Sequence, residues 1–255
     1  MFRILLFCSL VLSGNLLAKD LQAVLDWRQR VELGTLVDGV VNKVHVTPGQ
    51  QVIRGTLMVE LDQREMHARL AWTEAHVAAT QLQQDEARRE LDRALDLYDR
   101  TLISDHERKQ AEVDAAEADA LVRLAEAELT HIRLEREYSR IKAPFDGLVI
   151  GVDAHPGQAL VNHLRSRPVV TLVDMSRMKA VSQVGVETAL ELKIGQSVKV
   201  GVRGAWLEGE ISSIGLEPVA DSNSAVYPLE VLFTPPEQTQ FQFRAGEPSM
   251  VRIDE

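Results

Sequence analysis

The chain has 255 residues, 45% of them hydrophobic, so it can bury real cores and is long enough for one large domain or two to three small ones. Only 5% is aromatic, which suits long helices or thin β structure better than a deep aromatic-lined active site. A net charge of −10 without a Lys/Arg cluster argues against a nucleic-acid partner, because phosphates have to be neutralised by clustered cations.

The N-terminus places Arg3 before an apolar run, Ile4 to Leu12, followed by Ser13, Gly14 and the small residue Ala18. This order reads as a secretory signal peptide over residues 1–18, with cleavage expected after Ala18. The run is worth about 14 Å of helix, too short for a bilayer core of about 30 Å. The single cysteine, Cys8, lies inside this leader, with bulky Phe7 before it. It does not resemble an acylation site, and the mature chain is left without thiol or disulfide chemistry.

Next come residues that alternate and turn: Asp38-Gly39-Val40-Val41, then Val44, then Pro48-Gly49-Gln50, ending in an apolar run from Met58 closed by Asp62. Beyond them, Thr56 to Ala143 contains no glycine and no proline, and is dominated by helix formers. Two long helices are expected there. Apolar or small residues recur at sevens, with Met66, Thr73, Thr80, Ala87 and Ala94 in one row and Leu70, Val77, Gln84, Leu91 and Tyr98 in another. In the second half Val113, Ala120, Ala127, Leu134 and Ile141 repeat likewise, with Leu124 and Tyr138 beside them. Such stripes argue a coiled coil. The break falls near Leu102 to His106, where Ser104 and Asp105 are good N-cap residues with Glu107 following. A hairpin with arms of about 35 residues would project about 50 Å.

After the helices the β pattern returns 108 residues later as Asp146-Gly147-Leu148-Val149, Val152 and Pro156-Gly157-Gln158, with an apolar run from Val169 closed by Asp174. Neither copy is large enough for a stable core alone, so the two are expected to pair into one sandwich from which the hairpin emerges. From residue 175 onward, short alternating runs at Val198–Val202, Leu229–Phe233 and Val251–Ile253 suggest a small antiparallel barrel.

Gly39 to Asp62 and Ile141 to Asp174 resemble the two halves of a biotinyl/lipoyl-like domain. Lys142-Ala143-Pro144-Phe145-Asp146-Gly147 is similar to the start of the second half in membrane fusion proteins, the periplasmic adaptors of HlyD and RND-pump type. The barrel turn Ile194-Gly195-Gln196-Ser197-Val198 and the closing Ala245-Gly246-Glu247-Pro248-Ser249-Met250 are similar to the same family. A swinging-arm carrier would need a lysine at a tight turn between the halves, but the hairpin stands there instead, and its interior lysine is Lys109.

The resemblance implies an α+β fold: signal peptide 1–18, a split lipoyl-like β domain over 19–62 and 141–174, a coiled-coil hairpin over 63–140 and a β-barrel over 175–255. No membrane-proximal domain is evident, which leaves docking at the inner membrane open. The implied role is a periplasmic adaptor of a Gram-negative tripartite efflux or secretion pump, joining an inner-membrane transporter (RND-type favoured, ABC possible) to a TolC-type outer-membrane channel. A homo-oligomer, a hexamer in the family, and association with the inner membrane through the transporter go with it. The alternative is a structural or regulatory coiled-coil interaction protein on the same scaffold.

Arg93, Leu97 and Ser104 fit the spacing R-x3-L-x6-S, which in TolC-dependent adaptors lies near the hairpin tip and contacts the channel. Arg93 and Leu97 are four apart and share a helix face. A guanidinium can donate to exposed carbonyls, Leu97 can fill a groove and Ser104 can hydrogen-bond. The bland reading makes them a solvated residue, a seam residue and an N-cap.

No phosphate loop, G-x-S-x-G elbow or H-E-x-x-H occurs. The histidines, among them His67, His76, His155 and His163, are dispersed, and the methionines (Met58, Met66, Met175, Met178, Met250) form no soft-metal pattern. The carboxylates Asp85, Glu86, Glu90, Asp92, Asp96 and Asp99 read as a solvated helix face. The expectation is therefore no catalytic residue, no cofactor and no metal.

Overall fold

The computed structural model describes residues 19–161, 168–219, 225–236 and 242–253. The expected leader and His163 lie outside them. The chain forms two compact units, residues 31–172 and residues 19–30 with 173–253, and passes between them at 30–31 and 172–173.

In the 31–172 unit, two similar half-motifs flank a pair of helices. The first half holds β2 (Gly39–Val44), β3 (Gln51–Val52) and β4 (Leu57–Leu61); the second holds β5 (Arg140–Lys142), β6 (Gly147–Val152) and β7 (Ala159–Leu160). The strands pair mostly across the halves. One sheet runs β5-β4-β2-β7, and β3 pairs with β6. The Pro-Gly-Gln turns interlock: the Gly49 N–H donates to Val149 O at 2.8 Å and the Val149 N–H donates to Gln50 O at 2.9 Å. Equivalently, the Gly157 N–H donates to Val41 O and the Val41 N–H donates to Gln158 O, both at 2.8 Å. Gly49 and Gly157 sit at φ +88° and +86°, a backbone region costly for any residue with a Cβ. Val41, Met58, Val59, Leu61, Val149 and Leu172, from both halves, form one core.

Helix α1 (Arg64–Asp99) and helix α2 (Asp105–Tyr138) lie antiparallel. The carboxylate of Asp62 accepts the Arg64 N–H at 3.0 Å and opens α1. At the base, the Gln63 side-chain amide donates to Ser139 Oγ at 2.6 Å and the Leu61 N–H donates to Ser139 O at 3.0 Å, tying the start of α1 to the end of α2. Arg69 with Glu135 at 2.8 Å, and Gln84 and Arg88 with Asp119 at 2.8 and 2.9 Å, keep the register along the pair.

Both expected rows of α1 face the partner helix, with Leu70, Thr73, Val77 and Thr80 buried. The expected row of α2 does not. Ala115, Ala118, Val122, Ala125 and Ile132 are buried instead, whereas Val113, Leu124 and Leu134 are exposed. The seam of α2 therefore carries the same seven-residue period two positions earlier than the larger residues suggest. Three of its five buried residues are alanines, which lets the two helices approach closely, while Val122 and Ile132 supply the larger contacts. Ile141 of the expected row is buried, but in β5.

The other unit is a closed antiparallel barrel. Strands β1 (Lys19–Leu33), β8 (Val170–Gly185), β9 (Ser197–Val202), β10 (Ala205–Ile214), β11 (Val226–Phe233) and β12 (Pro248–Ile253) run in the order β1-β12-β9-β10-β11-β8, and β8 pairs back on β1. The alternating Val198, Val200 and Val202, Leu229, Val231 and Phe233, and Val251 and Ile253 point inward. The short helix α3 (Val186–Glu191) follows β8. The segment 19–30, which the sequence groups with the first half-motif, belongs to this barrel: Lys19 to Val24 pair with Ile253 to Pro248. The reason is the inward row Ala23, Leu25 and Trp27, all buried, which supplies one wall of the barrel core.

Truncating the true seam is expected to cost far more than truncating the exposed stripe. Ile132→Ala should lose about 2–4 kcal/mol and Leu134→Ala less than about 0.5 kcal/mol, measured by urea unfolding of the purified protein; equal losses would contradict the seam assigned here.

Candidate functional site

The candidate site is the tip of the helix pair: of the three sequence-marked residues, Arg93 and Leu97 lie on the last turns of α1 and Ser104 in the turn that joins it to α2. Helix α1 ends in a six-residue device. The Thr101 N–H donates to Tyr98 O at 2.8 Å, and the Leu102 N–H reaches back to Leu97 O at 2.9 Å, with Thr101 at φ +60° between them. This is a Schellman closure, which satisfies the last carbonyls of a helix through one left-handed residue. That residue is usually glycine; here it is β-branched threonine, so the turn holds local strain.

Helix α2 starts two residues later. Ser104 is its N-cap, in extended conformation, with its Oγ accepting the Glu107 N–H at 3.3 Å. Glu107 Oε2 accepts from both the Ser104 N–H and the Ser104 hydroxyl, each at 2.8 Å. This reciprocal capping box satisfies the first free amides of the helix. These bonds from the Ser104 N–H and hydroxyl hold the Glu107 carboxyl below the usual carboxylate range. Ion pairing with Lys109 and then Arg108 does the same for Asp105.

Arg108 joins the two helices. Its guanidinium pairs with Asp105 at 2.7 Å and with Glu112, and lies over the Tyr98 ring of α1, 5.0 Å from the centroid. Sequence reasoning missed Arg108 and Thr101. Arg108 could have been found from its carboxylates three and four residues away; nothing local marks Thr101.

Arg93 and Leu97 stand one turn apart on the last three turns of α1. Arg93 is exposed and pairs with Glu90 at 2.5 Å, and Leu97 is half-buried. Leu102 is 62% exposed at the apex, which leaves a large apolar side chain in water where a turn needs none. Just behind the turn, Ala87 and Ala94 face Ala111 across a recess of about 410 Å³ rimmed by Glu90, Glu107 and Asp114. Those carboxylates are engaged by Arg93, Ser104 and Gln110.

In the barrel unit the outer face of β1, β8 and β12 carries a recess of about 680 Å³ lined by uncharged residues, among them Gln22, Val24, Gln183, Pro248 and Met250. Trp206 lies beside Met250 under the Arg252 guanidinium, 4.1 Å from its ring centroid. Among the described residues, no three His, Cys, Asp or Glu side chains are grouped to hold a metal ion. Met58, Met175 and Met178 are core residues. No described helix is long and apolar enough to cross a membrane.

A two-part sandwich that opens into a long antiparallel helix pair, accompanied by a six-stranded barrel, defines the architecture of a membrane fusion protein. The chain belongs to that family: residues 29–172 match the barrel-sandwich hybrid domain of RND membrane fusion proteins. The macrolide export protein MacA of Yersinia pestis is 28% identical over 194 residues, covering 71% of this chain and 52% of MacA. The multidrug resistance protein MdtA of Yersinia enterocolitica is 33% identical over 119 residues, 47% of this chain and 27% of MdtA. The chain thus spans about half the length of the MacA relatives it matches. In fold it is similar to the membrane fusion protein Spr0693 of Streptococcus pneumoniae, with a TM-score of 0.74 at 15% identity, covering 93% of this chain and 99% of that one. It is also similar to MacA of Actinobacillus actinomycetemcomitans, with a TM-score of 0.72 at 23% identity, covering 92% and 78%.

Two outcomes are expected for the turn. Thr101→Gly should relieve the left-handed strain and stabilise the helix pair by about 1 kcal/mol, read as a raised urea midpoint. Because the Glu107 and Asp105 carboxyls are depressed, their contribution is present above the ordinary carboxylate range and is lost as pH falls through their lowered values. Amide exchange at residues 104–108 should therefore accelerate, relative to mid-helix amides, on acidification below about pH 4.

Proposed function

We propose that this protein is the periplasmic adaptor subunit of a tripartite efflux or secretion pump, joining an inner-membrane transporter to a TolC-type outer-membrane channel without chemistry of its own. The observation that carries this reading is a family scaffold whose 36-residue and 34-residue helices, each about 50 Å long, meet at a tip with Arg93 and Leu97 on the last turns of α1 and Ser104 at the cap of α2. A long stiff pair rooted in a sandwich by the Gln63–Ser139 bond suits reach across a gap. Arg93 is exposed with only a surface ion pair to release, at small cost, when its guanidinium turns to a partner's carbonyls.

The helix pair acts as a coiled-coil hairpin in this reading, and its second stripes support self-assembly. Val113 and Leu134 on α2 are three sevens apart, and Leu124 on α2 and Trp72 and Leu82 on α1 are likewise exposed, all of them facing away from the pair. Period-seven apolar rows left outside a helix pair fit packing against hairpins of further copies, as the ring implied by the family requires. The uncharged recess of the barrel around Val24, Gln183 and Met250 is the face offered to the inner-membrane transporter, RND-type in keeping with the family matched. Export to the periplasm follows from the leader read in residues 1–18. The names of MacA and MdtA, a macrolide exporter and a multidrug resistance protein, favour small-molecule efflux over protein secretion.

Arg93→Asp tests the channel end. With secretion and folding normal by circular dichroism, the variant should lose most in vivo crosslinking from the tip to an outer-membrane channel, and export should fall with it. Retained crosslinking would remove Arg93 from the contact; a wild-type crosslink to some other protein would favour a structural or regulatory interaction protein.

A further inference from the structure

The three motif residues do not stand alike toward solvent. Ser104, the residue expected to hydrogen-bond a partner, is exposed, but its hydroxyl proton is engaged within the chain: the hydroxyl accepts from the Glu107 N–H and donates to Glu107 Oε2. Leu97 is half-buried, and its carbonyl accepts the Leu102 N–H. Two of the three residues thus sit at the positions that build the turn, the third-last residue of α1 and the N-cap of α2. The residue the turn presents is Leu102. It follows the left-handed Thr101 and lies 62% exposed, with Arg108 clamping the first turn of α2 onto Tyr98 behind it.

We propose that Leu102 is the apolar anchor of the tip, and that Ser104 and Glu107 are positioning residues whose capping box holds the turn that presents it. The proposal rests on the adaptor reading, and its partner is the helical mouth of the outer-membrane channel, met through an apolar depression between helix ends. Three physical points carry it. Single exposed leucines are common on this chain, but Leu102 stands at the apex of the tip, where a partner arriving end-on meets it first, and apolar anchors entering pockets carry a large share of interface energy. A left-handed threonine is strained, and such strain persists where the surrounding bonds over-determine it, here the Schellman closure on one side and the capping box on the other. A preset turn loses little conformational freedom on docking, so the anchor's contact is not offset by ordering the loop.

The capping box makes a prediction that direct contact by Ser104 does not. If Ser104 works through the cap, asparagine, an equally good N-cap, should replace it, and loss of Glu107 should imitate loss of Ser104 although Glu107 lies outside the motif. The test uses the full chain in its native host with a photoreactive residue at exposed His106, and reads the yield of crosslink to an outer-membrane channel identified by mass spectrometry. Leu102→Ser should lower the yield roughly tenfold with the thermal melt unchanged. Ser104→Ala and Glu107→Ala should each lower it roughly three- to tenfold with faster amide exchange at residues 102–108, and Ser104→Asn should restore both. An undiminished yield for Leu102→Ser overturns the anchor. Failure of Ser104→Asn to restore the yield while exchange returns to normal means that the hydroxyl itself touches the partner, and overturns the positioning role. A wild-type protein that gives no channel crosslink fails at the adaptor reading beneath.

Discussion

Everything in the 31–172 unit depends on a reciprocal exchange of backbone hydrogen bonds between two half-motifs 108 residues apart. Gly49 reaches Val149 and Gly157 reaches Val41, each at 2.8 Å, so each half satisfies the other's strand. Neither half could bury its amides or its valines alone. Closing so long a separation costs loop entropy, and the helix pair reduces that cost by returning Ser139 to within 3.0 Å of Leu61. The sandwich and the helix pair therefore support each other: the pair brings the halves together, and the halves fix where the pair begins.

The same turn device recurs in the barrel. The Gly195 N–H donates to Ile211 O and the Ile211 N–H donates to Gln196 O, while the Gly246 N–H donates to Leu25 O and the Leu25 N–H donates to Glu247 O. In each case the glycine and the residue after it grip a neighbouring strand, the one after β9 in the chain for Gly195 and one distant in sequence for Gly246. This small unit, which Gly55 and Thr56 repeat on Ala143, lets short strands of two to six residues stay in register where ladder pairing alone gives few bonds.

The helix pair shows how one sequence carries two seven-residue patterns. Helix α2 buries mainly alanines against α1, with Val122 and Ile132 among them, and leaves Val113, Leu124 and Leu134 outside. Helix α1 alternates larger and smaller residues in its seam, burying Leu70, Thr73, Val77 and Thr80 while leaving Trp72 and Leu82 exposed. Large against small makes a close pair with modest apolar burial, which accounts for the share left to cross-helix bonds such as Arg69 to Glu135 and Gln84 to Asp119. At the tip both helices end on their own local signals, so the turn needs little from the rest of the fold.

Much of this was determined by the sequence alone. A stretch free of glycine and proline gives helices because nothing in it interrupts the backbone ladder, and Ser104 with Glu107 three residues later starts α2 because the capping box is local. The repeated Asp-Gly and Pro-Gly-Gln patterns gave the two halves for the same reason, since turns are encoded within a few residues. Tertiary structure alone decided the rest. The seam of α2 depended on which of two stripes fits beside Leu70 and Val77, a question of volume across the interface that no single helix answers. Placing residues 19–30 in the barrel depended on pairing Lys19 with Ile253, at the opposite end of the described chain. The left-handed Thr101, and with it the exposure of Leu102, rests on local bonds to Leu97 and Tyr98, yet it is hidden in the sequence because threonine's own propensity is against that conformation.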